Sequence, residues 1–249
     1  MNSTPDYMKH VLAVFGAYLA ITVAGLLYVS RVRGIRYGEP GFVEAMVPFL
    51  LVLVVFAIAS FLVYTKKRPT RFTVPTNYLY YALMLVPLLG VLAYYWSMRF
   101  TPTAAFLLPL VGTACVGVGE ELVVRGMLLK EFLRKHSALR SALISGLIFG
   151  AAHAINILGG SPLRLVATQL VSTTVVGVCY GLLYARTQNI VLLAVEHALW
   201  DYIMLSGATK EIPVLGLIMV GLLALRLILT FVLAFDLKRT AGPVLVDAA

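Results

Sequence analysis

The chain has 249 residues, 61% of them apolar and only 12% charged, with a mean hydropathy of +0.93. Soluble domains carry about a quarter charged residues, so a soluble globular enzyme, a disordered chain and a secreted disulfide scaffold are all excluded; an all-α, polytopic membrane bundle is what remains. The net charge of +9, from 20 Lys and Arg against 11 Asp and Glu, sits in short clusters between apolar runs, where it orients helices and meets lipid headgroups rather than nucleic acid.

A helix that crosses the hydrocarbon layer needs about 20 apolar residues. Eight such runs follow one another, at 10–30, 42–65, 77–98, 104–129, 140–158, 163–185, 189–206 and 212–235. The first lacks a small-residue cleavage site and reads as a span rather than a leader. Tyr78, Tyr80, Tyr81, Tyr94, Tyr95 and Trp96 bracket the third as interfacial anchors. The fourth ends amphipathically: Leu128, Leu129, Phe132 and Leu133 alternate with Lys130, Glu131, Arg134 and Lys135, so this end is expected in the interface. Glycines 112, 117, 119, 146, 150, 177 and 181 suit close helix packing. Cys115 and Cys179 lie inside apolar runs as small core residues. No linker is long enough to separate domains, so residues 1–249 read as one transmembrane domain.

Lys and Arg placement sets the orientation. With the N-terminus inside, Lys9, Lys66, Lys67, Arg68, Arg71, Lys130, Arg134, Lys135, Arg140, Arg186, Lys238 and Arg239 are cytoplasmic. Arg31, Arg33, Arg36, Arg99, Arg164 and Lys210 fall outside. The excess places both termini of a multi-pass protein in the cytoplasm.

Ionisable side chains inside hydrocarbon cost about 2.5–3.5 kcal/mol each even on the lenient insertion scale. Here they gather on separate spans: Glu120, Glu121 and Arg125 on the fourth, His153 on the fifth, Glu196, His197 and Asp201 on the seventh. At 1.5 Å per residue, Glu120 lies ~15 Å from Lys130, His153 ~20 Å from Arg140 and His197 ~16 Å from Arg186. These similar depths predict one shared polar cavity in the cytoplasmic half of the bilayer. Glu121 and Arg125, four residues apart, share a helix face and predict a salt bridge. Glu120 points about 100° away and is the candidate general base for a water. Asp201, four residues after His197, can orient its imidazole or stabilise its charged form, and His197, His153 or Asn156 can donate to an oxyanion. Arg226 in the last span reads as a structural partner for a buried carboxylate; Glu196 is open between a packing residue and an accessory acid. Two His and a Glu can also bind zinc, but no HExxH pair or other metal-specific spacing is present, so no cofactor is expected.

The same residues resemble the motifs of the CPBP family, which contains the type II CAAX prenyl proteases and the bacterial bacteriocin-processing and immunity (Abi) proteins. Glu120-Glu121-Leu122-Val123-Val124-Arg125-Gly126 is similar to its EExxxR motif, Phe149-Gly150-Ala151-Ala152-His153 to its FxxxH motif, and His197-Ala198-Leu199-Trp200-Asp201 to its HxxxN or HxxxD motif. Gly177 to Arg186, reading GVCYGLLYAR, also has the family's look. The resemblance covers about 105–206, the motif-bearing half. It implies a glutamate-dependent intramembrane endopeptidase acting on a membrane-embedded peptide or protein, with Glu120 as the base, Glu121 and Arg125 supporting it, His153 positioning water or peptide, and His197 with Asp201 at the oxyanion. Asp201 departs from the Asn form: an amide donates directly, whereas an ionised Asp cannot. The rival readings are a proton relay or transporter, and an inactive immunity-type scaffold, built on the same polar cluster. Transport needs polar residues leading to both faces, and the outer halves of the spans offer little beyond Thr113, Thr168, Gln169 and Ser172.

Overall fold

The computed structural model describes residues 7–240 and 244–247. Eight long helices follow the apolar runs: α1 (Met8–Leu27), α2 (Phe42–Lys67), α3 (Leu79–Arg99), α4 (Ala104–Val123), α5 (Ala138–Ala152), α6 (Leu163–Thr187), α7 (Ile190–Leu205) and, after the single turn α8 (Ala208–Glu211), α9 (Pro213–Arg239). A π-helical turn extends α1 over Tyr28–Val32, and a second carries α4 through Val124–Leu129 to Leu133. Among the described residues, seven of these helices are long and apolar enough to cross a membrane. The expected seventh span forms as α7, but its 16 residues rise about 24 Å, short of the ~30 Å hydrocarbon layer. It starts sharply because Asn189 caps it, accepting from Leu192 N at 3.0 Å.

The motif-bearing helix α4 is the axis of the bundle. Half of its most apolar window is buried, against 22% for α2 and α9, whose Val55, Leu62, Leu217 and Phe231 face outward where lipid covers them. Helix α4 packs between α2 and α7, and α6 lies between α5 and α9. Small residues permit the close crossings. A Cβ on Gly117 would stand 2.6 Å from Ala194 O and 2.9 Å from Ala198 N, so only glycine lets the α4 backbone touch α7 beside His197. Where α5 crosses α6, a Cβ on Gly177 would stand 2.9 Å from Gly146 Cα. Cys115 and Cys179 are buried free thiols, as expected.

Two expectations need correction. The end of α4 is not an exposed amphipathic surface: Lys130 and Glu131 are buried, because α2 lies against them. Tyr64 Oη donates to Glu131 Oε1 at 2.7 Å, Arg68 and Arg134 approach the same oxygen at 3.7 and 3.3 Å, and Lys130 Nζ rests over the Phe61 ring. Of the aromatic anchors, Tyr81 and Tyr95 are buried against α6, α7 and α9 neighbours, while Tyr78 and Tyr94 remain exposed. Two short strands also form, β1 (Thr70–Phe72) and β2 (Leu245–Asp247), paired antiparallel with Arg71 opposite Val246. They fasten the chain's last described residues to the α2–α3 connection, and Asp247 pairs with Arg134.

Candidate active site

The predicted site residues come from α4, α5 and α7, and the structure brings them together. Glu121, fully buried, is the hub. Arg125 Nη1 donates to Glu121 Oε1 at 2.8 Å, and His197 Nδ1 lies 2.8 Å from the same oxygen. Arg125 is held in turn: Nη2 donates to Gly177 O at 3.1 Å, and its guanidinium stacks 4.4 Å from the Phe149 ring centroid. The predicted i,i+4 ion pair therefore forms, and it straddles the junction between α4 and its π-helical turn. Single π turns inside helices recur at functional sites because they re-aim side chains without ending the helix.

With Nδ1–H donated to Glu121, His197 presents Nε2 to the other two carboxylates. Nε2 stands 3.5 Å from Asp201 Oδ2 and 3.8 Å from Glu120 Oε2. Glu120 has 23% of its side chain exposed and Asp201 22%, whereas Glu121 has none. One residue of rotation on α4 thus separates a sealed carboxylate that orients the imidazole from an accessible one that can meet water and substrate.

His153 is the C-cap of α5 and opens a 3₁₀ turn, His153–Ile157. Its Nδ1 lies 2.9 Å from Phe149 O, which leaves Nε2 as the available nitrogen. Phe149 sits between the two imidazoles, 4.8 Å from the His153 ring and 6.1 Å from that of His197. Asn156 Nδ2 gives one of its two protons to Gln169 Oε1 at 2.9 Å.

The α-helical part of α5 stops at Ala152, so His153 stands at that helix's far end from Arg140.

A second buried pair adjoins the first. Arg226 and Tyr180 both bond Glu196, and the Arg226 guanidinium lies 3.4 Å over the Trp200 ring. Arg226 is thus the partner of a buried carboxylate, as anticipated. The Tyr180 ring, 5.6 Å from that of His197 and 5.4 Å from the Arg125 guanidinium, joins the two clusters. Tyr180 was passed over in the sequence, although it falls within the GVCYGLLYAR stretch. Tyr37 and Gln169 were also missed: Gln169 Nε2 donates to Tyr37 Oη at 3.0 Å, extending the chain that begins at Asn156. No group of three or more His, Cys, Asp or Glu among the described residues is arranged to hold a metal ion.

Fold and site together define an integral membrane protein with a buried carboxylate–imidazole centre shared by non-adjacent helices. Residues 101–203 match the family model described as type II CAAX prenyl endopeptidase Rce1-like, and that segment contains every motif residue named above. The match bears out the resemblance to the CPBP family. It leaves α1 to α3 and α9 unmatched. No curated protein and no solved structure matches the chain.

Proposed function

We propose that the protein is an intramembrane endopeptidase that hydrolyses a peptide bond of a membrane-associated peptide or protein. The family match supports protease chemistry at the level of the family, and one observation carries the finer reading: His197 is fixed by sealed Glu121 while its other nitrogen faces the accessible carboxylate Glu120. Glu120 takes a proton from water, and the water oxygen bonds to the scissile carbonyl carbon. His197 Nε2–H donates to the oxygen that becomes negative. The C–N bond then breaks, and the proton held on Glu120 passes to the departing nitrogen. Arg125 and Glu121 hold the imidazole in register, Asp201 flanks its Nε2, and His153 guides water or peptide on the opposite side of Phe149. No cofactor takes part in this scheme.

The test is a peptide library presented to the protein in proteoliposomes made with ¹⁸O-labelled water. Cleavage that places one labelled oxygen in each new carboxyl terminus, and that disappears in Glu120→Gln, is expected. Cleavage undiminished in Glu120→Gln would refute the base assignment.

A further inference from the structure

We propose that Tyr37, in the α1–α2 connection outside the family-matched segment, is a hydrogen-bond donor to the oxyanion in this site, aimed there by Gln169 and Asn156. The inference deepens the hydrolytic reading and rests on it. It adds a second donor beside His197 Nε2–H, since an ionised Asp201 has no proton to give and Asn156 commits one amide proton to Gln169.

The geometry of Tyr37 supplies what is missing. Its backbone N–H donates to Gly159 O at 2.8 Å, which fastens the loop to the connection that follows His153. Its ring packs edge-on against Phe42 at 5.2 Å. Gln169 Nε2 donates to the phenol oxygen, so the phenol is an acceptor there and keeps its own proton for another partner. Among the described residues no acceptor takes that proton. In a 3₁₀ turn, side chains at i and i+3 eclipse, so Asn156, at the root of this chain, lies on the same face as His153. Through Gln169 and Asn156 the phenol is thus tied to the turn that carries His153. Burial is the main influence on the group and pushes it up to about 12, against a smaller opposing effect of the Gln169 bond, so the donor is protonated at neutral pH.

Tyr37→Phe keeps the ring and its Phe42 contact and removes only the hydroxyl. In the proteoliposome assay it is expected to lower kcat by roughly 10²-fold, the usual cost of one oxyanion donor, with KM nearly unchanged. Gln169→Leu, which frees the phenol without deleting it, is expected to lower kcat less, and again with little effect on KM. If Glu120→Gln is inactive while Tyr37→Phe matches wild type, or changes KM alone, the Tyr37 role is overturned and the hydrolytic reading stands. If the wild type cleaves nothing, both fall together.

Discussion

Substituting Gly177 by Ala tests how the site is braced. The added methyl would meet Gly146 Cα at 2.9 Å and Gly146 O at 3.1 Å, both backbone atoms that cannot rotate away. Restoring ordinary contact near 3.4 Å requires α5 and α6 to part by about 0.5 Å, and such overpacking costs about 1–3 kcal/mol. The Gly177 carbonyl accepts from Arg125 at 3.1 Å, so the same displacement takes it past the range of a good hydrogen bond and loosens the Arg125–Glu121–His197 anchor. At about 2–4 °C per kcal/mol for a chain of this size, the detergent-solubilised variant should unfold roughly 2–12 °C below wild type. Peptide cleavage should fall with it at temperatures where the variant is still folded. Gly221→Ala is the matched control: nothing lies within 4 Å of its added methyl, so it should be neutral or stabilise slightly. A Gly177→Ala protein with wild-type melting temperature and activity would refute the argument that this glycine crossing holds the site.

Other outcomes follow from the same geometry. Asp201→Asn should retain most activity, since an amide can replace the carboxylate beside His197 Nε2 and donate directly, whereas Asp201→Ala should lose it; steady-state kinetics of the two variants decide this. Arg226→Met and Glu196→Gln should each destabilise, the first by about 3–5 kcal/mol because it leaves a buried carboxylate unpaired. The double variant should recover much of that loss in thermal unfolding. Exhaustive treatment with a metal chelator should leave cleavage intact; loss of activity restored by zinc would replace the glutamate-only scheme.

Patterns local to one helix were legible in the sequence. The Glu121–Arg125 pair and the His197–Asp201 approach both follow from four-residue spacing, and the glycines at tight crossings are recognisable by type. What depended on distant neighbours was not. Lys130 and Glu131 look like surface residues until Tyr64 and Arg68, some sixty residues earlier on α2, are laid over them. That His197 Nδ1 would choose Glu121 over Glu120 depends on how α7 turns against Gly117, which spacing along one helix does not encode. Tyr37 had no signal of its own, being a single tyrosine in a short connection whose role arises only from Gln169 across the bundle.

A kinetic double-mutant cycle on Glu120→Gln and His197→Ala asks most directly whether residues from α4 and α7 act as one hydrolytic unit. Groups that share one transition state are non-additive. The double variant should therefore be scarcely slower than the worse of the two single variants. A double variant whose loss is the full product of the two single losses would mean that the carboxylate and the imidazole work independently, and would contradict a common centre.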